Sequence, residues 1–152
     1  MKSAEVALKK PTLVSDVMTT KVVTLFEEDN LTGVEKGMTH FKFRHLPVVD
    51  EKKLVGLVTH RDLLRVAASS FELNSDKKTA KLNENTFVRD VMQRDVVTVF
   101  PDTPLLDAGR LMWNTKMSCL PVVSKDGELV GLVTEADFLK LALLFLDPSS
   151  EG

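Results

Sequence analysis

The sequence predicts an α+β (mixed α/β) fold used twice, each copy running strand, helix, strand, strand, helix (β-α-β-β-α). Three observations carry that prediction. The first is an internal repeat. Val14-Ser15-Asp16-Val17-Met18 matches Val88-Arg89-Asp90-Val91-Met92 at an offset of 74, and the same offset carries Val22-Val23-Thr24 onto Val96-Val97-Thr98 and Leu46-Pro47-Val48-Val49 onto Leu120-Pro121-Val122-Val123. Similarity at a fixed period marks one structural unit used again. The second is a cassette, Leu54-Val55-Gly56-Leu57-Val58-Thr59-His60-Arg61-Asp62, echoed as Leu129-Val130-Gly131-Leu132-Val133-Thr134-Glu135-Ala136-Asp137 at an offset of 75. The extra residue falls in Ser124-Lys125-Asp126-Gly127, whose Asp-Gly is a strong hairpin signal, and turns absorb insertions readily. The third is a change of hydrophobic period within each copy, from β-branched runs to a helical spacing and back.

Taken in order, a short helical turn at Ser15 to Met18 leads to a β-branched strand at Val22 to Leu25, and Glu27 to Asn30 makes a polar break. An amphipathic helix follows over about Leu31 to Phe43, with Val34, Met38 and Phe41 on one face. Its counterpart opens with Thr103 as N-cap and Pro104 at the first helical position. Gly33 and Gly37, at about 1 kcal/mol each relative to Ala, make the first helix the weaker of the two. Leu46 to Asp50 is a strand in which Pro47 must sit at a start or an edge, because it cannot donate to a ladder. A turn at Glu51 to Lys53 folds it onto a strand ending at Thr59, and a helix begins near Asp62. A sheet of this size cannot bury both faces, so the two copies should pack together.

The copies span residues 14–68 and 87–146. They are flanked by an extension over 1–13 and a tail over 147–152, and joined by a polar linker over 69–86 containing Asn74-Ser75-Asp76-Lys77-Lys78. Phe138 to Leu146 is apolar except for Lys140, which predicts a helix buried within the monomer, against a second copy or against the N-terminal segment.

The bulk properties exclude several classes. Net charge is −2 over 152 residues with Lys and Arg scattered, so no basic footprint for nucleic acid or an anionic membrane exists. The single cysteine, Cys119, rules out an internal disulfide and fits a reducing compartment. Met1 to Leu13 lacks the apolar run of a signal peptide, and no stretch approaches the roughly 18 to 20 apolar residues of a membrane span. These features place the protein in the cytoplasm. His40, His45 and His60 lack the Cys or carboxylate company of a metal site, and no nucleophile and base recur beside a pocket signal. The expectation is a protein that is not an enzyme. Met112 and Trp113 fall on a predicted helix and read as core or interface.

The repeated cassette is where chemistry is expected. If Thr59 ends a strand and Asp62 lies on the first turn of the next helix, both side chains can converge at a helix N-terminus, whose unpaired N–H groups suit a phosphate. A carboxylate there suits a ribose diol, and Gly56 and Gly131 permit close approach of backbone or ligand. Phosphate with ribose means nucleotide. The competing reading is structural: Thr-x-x-Asp resembles a capping box.

Asp-Val-Met, Leu-Pro-Val-Val and Gly-Leu-Val-Thr-x-x-Asp, each present in both halves, resemble a tandem pair of cystathionine-β-synthase (CBS) domains, the stand-alone form of a Bateman module, over nearly all of residues 14 to 146. The resemblance implies two units related by a pseudo-two-fold, with two clefts between them that take AMP, ADP, ATP or S-adenosylmethionine. It implies no required cofactor. It also implies regulation of an attached domain or a separate effector protein, and a homodimer. Carried over by position, Asp62 and Asp137 would hold ribose hydroxyls and Thr59 and Thr134 would reach phosphate. Val22-Val23, Val96-Val97 and the residues flanking Pro47 and Pro121 would enclose adenine.

The halves are unequal: Arg44, His45, His60 and Arg61 in the first stand where the second has Ser118, Cys119, Glu135 and Ala136. The expectation is that the cleft receiving Arg44, His45 and Arg61 holds the phosphates, with Cys119 either in a cleft or a buried structural thiol. The alternative is a nucleotide-independent dimerisation or scaffold module that keeps the fold and uses its Thr and Asp as caps.

Overall fold

The computed structural model of the chain describes residues 10–41, 43–71 and 85–150, and side chains in that set other than those of 41, 67–71 and 150. A 3-10 turn at Val14–Asp16 precedes α1 (Leu31–Phe41), β1 (His45–Asp50), β2 (Lys53–Thr59) and α2 (His60–Phe71). The second unit repeats the order with α3 (Val88–Val91), α4 (Leu105–Thr115), β3 (Cys119–Val123), β4 (Leu129–Thr134) and α5 (Glu135–Leu146), then a 3-10 turn at Pro148–Ser150. Most of the expected linker and of the N-terminal extension lies outside the described residues; residues 69–71 continue α2.

Each hairpin is antiparallel, with Leu46 opposite Val58 in β1–β2 and Leu120 opposite Val133 in β3–β4. The register slips at the same place in both, between Val48 and Val49 and between Val122 and Val123. The inserted residue is absorbed at the β3–β4 turn, where Gly127 takes φ +83° and its N–H donates to the Ser124 carbonyl. Only a residue without Cβ adopts that conformation freely.

The first predicted strand of each unit shrinks to one bridge, Leu25 to Val48 and Val99 to Val122, both parallel. Proline explains why. The Leu25 N–H donates to the Pro47 carbonyl (2.8 Å) and the Val49 N–H to the Leu25 carbonyl (2.9 Å), so residues 47 and 49 turn their polar backbone toward this segment. The next rung would need an N–H from residue 47 to the Val23 carbonyl, and proline has none. Pro121 stops the second ladder in the same way. Pro47 therefore lies inside β1 yet on the edge, as its chemistry requires.

One helix start differs from expectation. The N-cap of α4 is Pro104, in extended conformation, and the Thr103 hydroxyl accepts from the Phe100 N–H (2.9 Å) instead of capping. The Leu105 N–H is taken by the Thr12 carbonyl at 2.8 Å, so the other unit's leading segment satisfies this helix end.

That contact belongs to a set of paired contacts related by exchange of the units, which defines the pseudo-two-fold. Leu13 bridges Pro104 as Phe87 bridges Asn30; Thr19 bridges Leu132 as Gln93 bridges Leu57. On the axis, Lys53 pairs with its own counterpart Glu128. Each Asp-Val-Met segment thus joins the sheet of the other unit. The core follows: Val88 and Met92 are buried with Leu25, Val34, Met38 and Val58, while Val14 is buried with Val99, Leu105, Met112 and Val133.

The exchange also accounts for both cassette glycines. A Cβ on Gly56 would lie 2.6 Å from Met92 Sδ and 3.0 Å from the Gln93 carbonyl; one on Gly131 would lie 2.7 Å from Met18 Sδ and 3.1 Å from the Thr19 carbonyl. Backbone, rather than ligand, makes the close approach.

α5 departs from the expectation of burial within the monomer. None of its residues is fully buried, and Leu139, Leu143, Leu144, Phe145 and Leu146 are exposed. Lys10 lies over the Phe145 ring at 4.8 Å; residues 1–9, which were the other candidate cover, lie outside the described residues. Met112 is core, and Trp113 is exposed.

Candidate functional site

β2 and β4 end at Thr59 and Thr134, and in each case the chain turns at once into a helix, α2 or α5. The pseudo-two-fold brings these two junctions together. Between them lies a trough of about 780 Å³ lined by residues of both units. Its walls come in symmetric pairs: Arg44 with Ser118, His45 with Cys119, Thr59 with Thr134, His60 with Glu135, and Arg61 with Ala136. Phe43 with Met117 and Leu57 with Leu132 are two further pairs, and Leu64, Arg65, Gln93 and Lys116 complete the lining.

Of the residues named from sequence, Arg44, His45, Thr59, Arg61, Cys119 and Thr134 line this trough. Pro47 and Pro121 are fully buried, Val23 is half-exposed, and Val22, Val96 and Val97 are partly buried outside the lining. β1 lies between the Leu25 bridge and β2, as β3 lies between the Val99 bridge and β4. Asp62 and Asp137 stand just behind the wall and hold its threonines.

Both aspartates form the capping box. The Asp62 Oδ2 accepts from the Thr59 N–H (2.8 Å) and the Thr59 hydroxyl (3.0 Å), and the Asp62 N–H donates to Thr59 Oγ1 (3.3 Å). In the second unit Asp137 Oδ2 accepts from the Thr134 N–H at 2.9 Å and its hydroxyl at 3.3 Å. The motif is thus a cap in both halves, which fixes the threonines and leaves the remaining helix-terminal N–H groups to a ligand or to water.

The two carboxylates nevertheless differ. Asp62 is 5% exposed, its Oδ1 accepts from Gln93 Nε2 (3.3 Å), and Arg65 lies 3.9 Å away. Gln93 arrives on the exchanged segment, and its counterpart at Asp137 is Thr19, whose shorter side chain makes no such bond. Asp137 Oδ1 therefore keeps an open acceptor among the described residues.

The charges lining the trough are mostly positive. Arg44, Arg61, Arg65 and Lys116 face the trough against one lining carboxylate, Glu135. Lys116 ends α4 in the left-handed region (φ 59°), and its ammonium lies 4.9 Å from the Trp113 ring centroid. At the middle, His45 Nε2 lies 2.6 Å from Ser118 Oγ, one residue from each unit. Burial pushes the His45 pKa below the usual value, against the pull of Glu135, and Arg44 adds to the lowering. Burial and the Asp137 carboxylate push the Cys119 thiol up to about 12. Buried and held protonated, the thiol has the surroundings of a structural cysteine. Among the described residues no group of three His, Cys, Asp or Glu could hold a metal ion, and no helix is long and apolar enough to cross a membrane.

Gln93, Arg65, Lys116 and Met117 were not foreseen. For Gln93 a signal existed: at the 74-residue offset it replaces Thr19, the one polar change directly after a matching Asp-Val-Met.

Comparison with known proteins agrees with this geometry. The family model for the CBS domain matches residues 14–69 and again 88–144. The chain is 37% identical over 131 residues to a homoserine O-acetyltransferase of Methanococcoides burtonii, covering 86% of this chain but 24% of that enzyme. Among solved structures it is similar to AcuB of Vibrio cholerae, with TM-score 0.77, 35% identity, and 92% and 96% of the two chains covered. The structure of CBSX2 in complex with AMP matches with TM-score 0.75 at 28% identity, over 90% and 100%. The CBS domain pair of MJ0100, in complex with 5′-methylthioadenosine and S-adenosyl-L-methionine, matches with TM-score 0.71 at 27% identity, over 87% and 97%.

Proposed function

Because the chain belongs to the CBS domain family and carries two copies of that domain in tandem, we propose that it is a regulatory module that binds an adenosine-containing nucleotide in the trough and passes the change to a partner. The carrying observation is the trough itself. Two helix N-termini, two capped threonines and four cations against one lining carboxylate make a site for a phosphate-bearing ligand. Adenosine is the part common to the ligands of CBSX2 and MJ0100.

In this reading Asp137 takes the ribose diol, because its Oδ1 is open while Asp62 is occupied by Thr59 and Gln93. The phosphates lie toward Arg44, His45 and Arg61, and AMP, ADP, ATP and S-adenosylmethionine are the ligands to try. CBS domain pairs are regulatory units, so the module is a sensor and not a catalyst. The apolar face of α5, with Leu139, Leu143 and Leu146 exposed, is the surface on which we place a second copy in a homodimer or an effector protein. The cytoplasm is the compartment that fits the free thiol. The two units of the module span 14–68 and 87–146.

One observation favours a second reading. Thr59–Asp62 and Thr134–Asp137 are satisfied as helix caps without any ligand, as a nucleotide-independent dimerisation or scaffold module would have them. A thermal-shift screen with the four ligands on the wild type, Asp62→Ala and Asp137→Ala separates the two. Ligand at 100 times its Kd stabilises by about 2.7 kcal/mol, and we expect that shift to be lost in Asp137→Ala. Absence of a shift with every ligand supports the scaffold.

A further inference from the structure

We propose that His45 is the residue through which nucleotide binding takes up a proton, its imidazole charging when a phosphate enters the trough, with Ser118 across the pseudo-two-fold holding it in both states. This rests on the nucleotide reading above.

The geometry is specific to this chain. His45 opens β1 in the first unit, and Ser118 precedes β3 in the second, with Nε2 and Oγ 2.6 Å apart. The symmetric counterparts are Cys119 and Arg44, so the bridge occurs once and breaks the symmetry of the site. A serine hydroxyl is a partner for either protonation state. It donates to a bare imidazole nitrogen and accepts from an N–H, so charging His45 breaks no hydrogen bond. A backbone carbonyl, which only accepts, could not serve the first state, nor an ammonium the second.

The surroundings hold the imidazole neutral until an anion arrives. Burial is the largest cause, and Arg44 beside it acts in the same direction. From α2 the trough receives His60, Arg61 and Arg65, with Asp62 behind them engaged by Thr59 and Gln93. The end of α4 adds Lys116. The opposing charge comes from α5, where Glu135 favours the proton and Asp137 stands behind the wall, while Cys119 on β3 remains a neutral thiol. A phosphate dianion among these cations removes their opposition to one more positive charge. By reciprocity, whatever the anion does for the proton, the proton does for the anion. Affinity for a phosphate ligand therefore rises as pH falls through the neutral range, by up to about tenfold per pH unit at full linkage.

The test is titration calorimetry of AMP binding at neutral pH in two buffers of different ionisation enthalpy, on the wild type, His45→Gln and Ser118→Ala, with folding checked by circular dichroism. Glutamine keeps a hydrogen-bonding partner for Ser118 but does not titrate. Free AMP contributes the same protons to each titration, and the trough cations keep the bound phosphate a dianion in all three proteins, so differences belong to the protein. We expect the wild type to take up an additional fraction of a proton that His45→Gln lacks, and Ser118→Ala to take up less than the wild type. Equal uptake by wild type and His45→Gln overturns the proposal, and full uptake by Ser118→Ala overturns the holding role of the serine. AMP that binds none of the three proteins contradicts the nucleotide reading itself, and this proposal falls with it; binding without the proton difference removes this proposal alone.

Discussion

Replacing Gly56 with alanine should destabilise the protein, although it adds a single methyl group to a strand. The added Cβ would sit 2.6 Å from Met92 Sδ, 3.1 Å from Met92 Cγ and 3.0 Å from the Gln93 carbonyl oxygen. The thioether can swing, but the carbonyl is pinned. It accepts from the Leu57 N–H at 3.0 Å while the Gln93 N–H donates to the Leu57 carbonyl at 2.9 Å. Forcing a methyl into such packing costs about 1–3 kcal/mol, which for a domain of this size lowers Tm by roughly 2–12 °C. Urea and thermal unfolding followed by circular dichroism measure it. Met92→Ala alone should cost about 2–5 kcal/mol through the cavity it leaves. The double variant should cost less than the sum of the singles by about 1 kcal/mol, because the alanine then occupies space the thioether vacated. A Gly56→Ala protein within about 0.5 kcal/mol of wild type, or strict additivity in the double variant, would show that the exchanged segment does not pack on β2 as described.

Two further outcomes follow from the same geometry. Cys119, held protonated with its pKa at about 12, should resist a thiol-reactive disulfide in the native protein at pH 8 and react on unfolding; prompt labelling contradicts its burial. Because the folded thiol keeps its proton above the ordinary value of 9.0 at which an unfolded one loses it, stability should fall as pH rises from about 9 to about 12, by about 1.4 kcal/mol per pH unit at most, and Cys119→Ala should remove that slope. Asp62→Ala, which strips the acceptor from Thr59 and Gln93, should cost about 2 kcal/mol in urea unfolding, against about 1 kcal/mol for Asp137→Ala, which strips it from Thr134 alone; equal losses would deny the difference between the two carboxylates.

Much of the fold is legible because it is written twice. The 74-residue offset aligns not only side chains but contacts: Thr19 to Leu132 and Gln93 to Leu57 are one contact in two copies. What a single copy cannot reveal is that each Asp-Val-Met segment serves the other unit's sheet, because the partner lies more than a hundred residues away in one direction and a few tens in the other. The glycines were read as room for backbone or ligand, and only the exchanged segments show that a methionine and a backbone carbonyl take that room. The strand at Val22 to Leu25 looked complete by composition, and Pro47, beyond α1 in the chain, truncates it by withholding one N–H. At the site, Thr59 and Thr134 were legible from their cassettes. Lys116 and Arg65 were not, because their presence depends on how helix ends converge across the axis. The inequality of Asp62 and Asp137 turns on Gln93 standing where the first unit has Thr19, and only packing gives that difference a consequence.

The central claim is that one trough, built by both repeats, holds an adenosine nucleotide. The most direct measurement is the crystal structure of the protein with AMP. The account predicts AMP between α2 and α5, its ribose on Asp137 and its phosphate among Arg44, His45 and Arg61. AMP bound elsewhere, or a trough left empty at saturating AMP, would contradict it.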